Sequence, residues 1–173
     1  FNVTGESEEV KIISHNIIYQ LIEDLEKWRE EIRKEEEEKQ LVGLIRPAKM
    51  KYLRGCTFRQ NNPAVVGVEV LNGTLRAGTD LIKENGDVVG HVKALQAEKE
   101  TVKEAEKGKQ VAVSIPGITA GRQIKEEEIF YTEMNEKNFK KLKQLKKLLT
   151  PDEIQVLKEF AEIKRKTNHL WGV

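Results

Sequence analysis

The stretch Asn62-Pro63-Ala64-Val65-Val66-Gly67-Val68-Glu69-Val70-Leu71-Asn72-Gly73-Thr74 decides how this chain folds. Val66, Val68 and Val70 recur at every second position, the period at which side chains return to one face of a β-strand. Asn72-Gly73 follows, the dipeptide that most readily accepts positive φ at both positions of a tight hairpin turn. The same period appears upstream, where Met50, Tyr52, Cys56 and Phe58 share one strand face with Arg54 as the exception, and downstream at Val111, Val113 and Ile115. Turn signals at Asn61-Asn62-Pro63, Asn85-Gly86, Gly108, Pro116-Gly117 and Gly121 punctuate these runs. Roughly six or seven short strands between Ala48 and Glu133 are therefore expected, forming a closed or nearly closed antiparallel barrel.

On both sides of this region the period lengthens. Ile18, Leu21, Ile22, Leu25, Trp28 and Ile32 recur at spacings of three and four, and the stripe then stops in the wholly polar run Arg33 to Gln40. Glu and Lys are good helix formers without burial. One helix over 17–39 is predicted, packed at its start and solvated at its end, reaching roughly 35 Å at 1.5 Å per residue. A rod of that kind spaces one domain from another. Before it, Val10-Lys11-Ile12-Ile13 reads as a short strand. After the barrel, Phe139, Leu142, Leu145 and Leu149 form one stripe, and Ile154, Leu157, Phe160 and Ala161 another. Between them, Thr150 can cap free N–H groups, Pro151 suits the first helical position, and Glu153 completes a capping box. An αα-hairpin packed on the barrel is the expectation.

Composition narrows the function classes. Of 173 residues, 38% are hydrophobic and 34% charged, against about 25% charged in a typical soluble protein. Lys and Glu dominate, a bias common in proteins from hot environments. Formal net charge is only +1, so the distribution of charge must carry the information. Cys56 is the only cysteine, which excludes an internal disulfide and implies a reducing compartment. On the strand pattern it is a packed, inert thiol. No apolar run approaches the roughly 18 residues of a membrane-spanning helix. Phe1-Asn2-Val3-Thr4-Gly5 has neither a signal peptide's pattern nor an initiator methionine, so a fragment or processed chain is expected.

Catalytic patterns are missing. There is no phosphate-binding G-x-x-x-x-G-K-[ST] and no G-x-G-x-x-G turn. His15, His91 and His169 lack metal-ligand spacing, and Ser14-His15 has no third group to orient it. Glu35 to Glu38 reads as a solvated helix face. No enzyme active site and no metal site are expected in this segment.

Basic residues say more. Lys49, Lys51, Arg54 and Arg59 fall within one strand and its exit, with Arg76 and Lys93 on later strands. Beside Tyr52 or Phe58 they either grip a phosphate backbone and stack a terminal base or merely solubilise the outer face. The terminal helices carry Lys137, Lys140, Lys141, Lys143, Lys146, Lys147, Lys164, Arg165 and Lys166 against few acids. A positive helical pair with an apolar seam suits an acidic, partly apolar peptide or an RNA backbone; a solvated amphipathic hairpin would look the same.

Several segments carry a resemblance. They are Val10-Lys11-Ile12-Ile13 followed by Ile17-Ile18-Tyr19-Gln20-Leu21-Ile22-Glu23-Asp24, then Asn62 to Val70 leading into Gly73-Thr74-Leu75-Arg76-Ala77-Gly78-Thr79. Gly121-Arg122-Gln123, Ile129-Phe130-Tyr131 and the closing Trp171-Gly172-Val173 complete the set. Their order resembles the carboxy-terminal part of translation initiation factor five-B, the archaeal and eukaryotic counterpart of bacterial initiation factor two. The resemblance implies a mainly β fold with α: a small antiparallel β-barrel of translation-factor type, preceded by a long linker helix and followed by a two-helix hairpin. Residues 1–16 would be the tail of an α/β domain, 17–40 the linker helix, 41–134 the barrel and 135–173 the helical hairpin, with helices at 135–149 and 151–168.

In that family the parent protein is a GTPase that uses GTP and magnesium; its nucleotide-binding domain has no counterpart here, so no cofactor is expected. The family promotes ribosomal subunit joining in the cytoplasm and stabilises initiator methionyl-tRNA. Its fourth domain holds the aminoacylated acceptor end, for which Arg54, Arg59, Arg76, Lys93 and Arg122 are the expected contacts. Its terminal helices, with the neighbouring barrel, bind the carboxy-terminal tail of initiation factor one-A, for which Lys140, Lys143, Lys164, Leu170 and Trp171 are expected. Expected partners are thus initiator methionyl-tRNA, the one-A tail and the ribosome, not a membrane. The alternative is a protein-interaction module that binds the acidic tail without autonomous tRNA binding.

Overall fold

The computed structural model describes residues 18–173, and the chain divides into two compact units, 1–43 and 44–173. The strand read at 10–13, the pair Ser14-His15 and the segment 1–16 lie outside the described residues. In the first unit, α1 (Ile18–Leu41) is a 24-residue helix. Its charged half forms as expected, and Arg33 pairs with Glu37 one turn on. Its start differs from expectation: Ile18, Tyr19 and Ile22 are exposed. Among the described residues this unit holds no second element against which the stripe could pack.

The second unit holds nine strands, more than the roughly six or seven that turn spacing implied, because two three-residue strands are too short to show a period. They are β1 (Ala48–Arg59), β2 (Ala64–Arg76), β3 (Asp80–Lys83), β4 (Val88–His91), β5 (Ala94–Ala97), β6 (Glu100–Val102), β7 (Glu104–Glu106), β8 (Gln110–Ile115) and β9 (Ile129–Thr132). Pairing is antiparallel throughout the sheet, in the order β4-β3-β9-β1-β2-β8-β5-β6, with β7 on the far end of β2. Only Val92 and Lys93 part β4 from β5. The Val92 amide donates to Thr79 O and the Lys93 amide to Ser114 O, both at 2.8 Å. One bent stretch of chain thus pairs with β3 by its first half and with β8 by its second, which nearly closes the barrel. Inside lie the alternate residues foreseen: Val66, Val68, Val70, Val113 and Ile115, with Met50, Tyr52, Leu81, Leu95 and Phe130. The hairpin turn read at Asn72-Gly73 does not form: β2 runs through both residues, which pair with Lys49 and Ala48 beside a register shift, and Gly73 takes φ near 79° within the strand, where a Cβ would sit 2.0 Å from Pro47 O. Only glycine fits.

The helical hairpin consists of α2 (Glu136–Gln144), a 3₁₀ turn at Lys146–Leu148, and α3 (Pro151–Thr167). The first helix is shorter than the stripe implied, since its last turn tightens to 3₁₀ geometry. The capping box at Thr150 and Glu153 is present as read. Its Glu153 is also buried against the barrel, where Arg46 Nε donates to Oε1 at 2.6 Å. Glu159 is a second anchor, accepting from Lys49 Nζ at 2.7 Å and Tyr131 Oη at 2.9 Å. Burial alone would raise its pKa, but hydrogen bonds from Lys49, Gln155 and Tyr131 outweigh that and hold it below the usual value. Tyr131 responds oppositely: burial first, then the Glu159 carboxylate, push its hydroxyl pKa well up.

Candidate nucleic-acid interface

One irregularity in β1 builds a concave outer surface. Tyr52 pairs with Val68, yet the next paired residue is Thr57, opposite Val66, so three extra residues are inserted on β1. Gly55 lies within this bulge at φ 72°, and its amide donates to Glu126 Oε1 at 2.9 Å. The bulge overturns the expectation that Cys56 and Phe58 share a face with Met50 and Tyr52. Met50 and Tyr52 are buried, Cys56 is half-buried on the other side, and Phe58 is 69% exposed. An inserted odd number of residues reverses the alternation.

Cys56 seats directly on β2 at Gly67. A Cβ at position 67 would approach the Cys56 Cβ to 2.6 Å, so the close contact requires glycine. Leu53, Cys56, Phe58, Val65, Gly67 and Ala112 line an apolar hollow of about 490 Å³, with Gln96, Glu98, Lys99 and Gln110 as its polar side. One wall is the β5–β6 hairpin, whose turn residues Glu98 and Lys99 have φ of 51° and 72°. Non-glycine residues in this left-handed region cost about 1–2 kcal/mol each. Positive φ at both residues of a two-residue loop is the geometry that matches the twist of the flanking strands.

A second, basic hollow of about 710 Å³ adjoins the first and is lined by Arg76, Lys93, Lys103, Thr101, Ala94 and Glu104 among others. Two expected contacts, Arg76 and Lys93, come together here with Lys103, which sequence reasoning did not single out. Arg76 Nε donates to Glu104 Oε2 at 3.0 Å. The other expected contacts are distributed differently. Arg59 pairs with Val65, Val65 with Ser114 and Ser114 with Ala94, forming one row across β1, β2, β8 and β5. At about 4.8 Å per strand, exposed Arg59 stands roughly 14 Å from Ala94. Arg122 lies in the 119–124 turn, which joins this edge through the Ala120 amide and Gln60 O at 2.8 Å. Arg54 is exposed in the bulge. Arg76 and Lys93 thus share the basic hollow, whereas Arg54, Arg59 and Arg122 line none of the three hollows described, and the five do not converge on one point.

The helical hairpin carries its own groove of about 310 Å³, where Lys143, Lys146, Lys158 and Arg165 surround Phe139, Ile154, Leu157 and Ala161, with Glu162 the one acid. Of the residues expected to meet a partner, Lys143 lines this groove. Lys140 pairs with Glu136 on the exposed surface, lowering that carboxyl's pKa. Lys164 is bound to Glu133 at 2.7 Å and lies over the Phe160 ring. Trp171 packs between Phe139 and Phe160, tilted against the first and edge-on to the second, at 4.7 and 5.3 Å between centroids, and its carbonyl accepts from Arg165. Leu170 is 76% exposed. Among the described residues, no group of three or more His, Cys, Asp or Glu is placed to hold a metal ion, and no helix is long and apolar enough to cross a membrane.

Residues 46–131, which contain both hollows of the barrel, match the family model for elongation factor Tu domain 4. Across 168 residues, 96% of the chain, it is 45% identical to a probable translation initiation factor IF-2 of Methanocella arvoryzae. Across 171 residues, 98% of the chain, it is 44% identical to the probable IF-2 of Ignicoccus hospitalis. The crystal structure of GDP-bound aIF5B from Aeropyrum pernix superposes with a TM-score of 0.84 at 39% identity, over 91% of this chain. The chain corresponds to the carboxy-terminal part of archaeal IF-2/aIF5B. It spans 28% of the length of these IF-2 relatives and 27% of the aIF5B chain. The match to IF-2 proteins runs on through the helical hairpin, so its groove belongs to the shared part although it lies outside the domain 4 model.

Proposed function

We propose that this segment of IF-2/aIF5B holds the aminoacylated acceptor end of initiator methionyl-tRNA during ribosomal subunit joining, with the methionine side chain in the apolar hollow of the barrel. The hollow itself carries the reading: an apolar floor at Cys56 and Gly67, an exposed Phe58, and only four polar residues, Gln96, Glu98, Lys99 and Gln110, in its lining. Its volume of about 490 Å³ lies within the range of small-ligand sites, about 300–1,000 Å³. A methionine thioether against an aromatic ring gains about 0.3–1.5 kcal/mol. Fluorescence anisotropy with methionyl and uncharged initiator tRNA is the test. The chain should prefer the charged form, and Phe58→Ala should reduce that preference several-fold. Equal affinity of the intact chain for both forms would refute the assignment.

A second role rests on a different observation, the four cations set around an apolar floor between α2 and α3. That chemistry fits an acidic, partly apolar segment such as the carboxy-terminal tail of initiation factor one-A. A labelled tail peptide should bind, and lose affinity for the chain carrying Lys143→Gln and Lys146→Gln. Indifference to both substitutions would remove this role.

A further inference from the structure

The two hollows on the barrel share a wall, and that wall is one residue pair thick. Gln96 on β5 and Thr101 on β6 are direct cross-strand partners. Gln96 lines the apolar hollow, and Thr101 lines the basic one. The outer face of β5 links them as well: Ala94 lines the basic hollow and Gln96 the apolar one, with buried Leu95 between. Two residues along a strand are about 7 Å. An anionic group attached a short distance from an apolar end group can therefore occupy both hollows at once.

The basic hollow has the electrostatics for such a group. Arg76, Lys93 and Lys103 face it, and Glu104 is the single acid. Glu104 is taken up by Arg76 at 3.0 Å, which leaves the two lysines as net positive charge. Neither lysine makes an ion pair among the described residues, although both backbones are tied into the barrel, Lys93 through Ser114 and Lys103 through Ala77. The Thr101 hydroxyl and Gln96 amide on the divide can donate to oxygens passing over it. Arg59 and Arg122, by contrast, are exposed and line none of the three hollows described.

We infer that the basic hollow of Arg76, Lys93 and Lys103 is a phosphate subsite, where an RNA backbone rests after crossing the Gln96–Thr101 pair from an end group seated in the apolar hollow. This rests on the aminoacyl-end reading given above and adds a direction to it: the backbone leaves toward Lys93 and Lys103, not toward Arg59 and Arg122. Each phosphate contact of a single strand contributes about 0.7 to the slope of log affinity against log salt.

The test uses the whole 173-residue chain and an RNA hairpin ending in the acceptor sequence, charged with methionine or uncharged, titrated across a salt series. Lys93→Gln with Lys103→Gln should flatten the slope by about 1.4 and retain the preference for the charged hairpin, with an unchanged thermal melt as the folding control. Arg59→Gln with Arg122→Gln should leave the slope in place. A slope unmoved by the lysine pair, with charged-hairpin preference intact, overturns the subsite and spares the aminoacyl reading. A flattened slope without any preference in the intact chain upholds the subsite and refutes the aminoacyl reading. No binding of either hairpin at low salt overturns both.

Discussion

The barrel's basic hollow and the helical hairpin look alike in composition, both rich in Lys and Arg, yet their cations are deployed differently. Around the hollow, Lys93 and Lys103 make no ion pair among the described residues, and Arg76 meets one carboxylate. At the seam joining hairpin to barrel, Arg46, Lys49 and Lys164 are each spent on a partly buried glutamate, Glu153, Glu159 and Glu133. A cation held by a carboxylate in low dielectric serves the fold, since releasing it leaves a charge uncompensated. A cation left in solvent is available to a ligand. The lesson is that charge counts along a chain do not distinguish the two; the partner does.

Substitutions can break that contrast, and the largest effect belongs to the seam. Glu153→Ala removes the returning half of the Thr150 capping box and strands Arg46, so thermal or urea unfolding should show a loss of about 3–5 kcal/mol. A smaller loss, near the median for exposed pairs, would mean that the seam is no more committed than the surface. Gly67→Ala comes next. Its Cβ must displace Cys56, and overpacking of this kind typically costs about 1–3 kcal/mol; the preference for methionyl over uncharged tRNA should fall with it, as the hollow loses its floor.

Acidity probes the seam without mutation. The Glu159 carboxyl is held below its unfolded value, so its contribution to stability is present above about pH 4.3 and is lost as pH falls through the lower folded value. Unfolding measured from pH 6 downward should show this loss, and Glu159→Gln should flatten it. The smallest effect sharpens the comparison from the other side: Lys140→Ala removes only an exposed pair with Glu136 and should leave the melt unmoved.

Some of this was legible in the chain before any coordinates. The valine alternation at 66, 68 and 70 identified a strand with one buried face, and Thr150-Pro151-Asp152-Glu153 marked a helix start to the residue, because both signals are local and repeat a backbone period. The bulge was not legible. Arg54 interrupted the pattern at Met50, Tyr52, Cys56 and Phe58, but three extra residues can only be counted against the facing strand. The Glu98-Lys99 turn was equally hidden, since neither residue advertises positive φ. Lys103 went unnoticed because nothing in its neighbourhood of sequence sets it apart from other surface lysines. The contacts that Lys164 and Trp171 make within the chain were hidden too, one with Glu133 and the other with the Phe139 and Phe160 rings, since each partner lies far off in sequence or on another element.

Sequence alone determined the kinds of element, their order and the family likeness, because hydrophobic period, turn residues and caps act over a few neighbouring positions. Tertiary structure alone decided which strand face became a hollow, which cations stayed unpaired, and that Gln96 and Thr101 stand between two hollows. Those outcomes depend on residues far apart in the chain meeting across strands, where an inserted residue or a facing carboxylate changes the result without leaving a local trace.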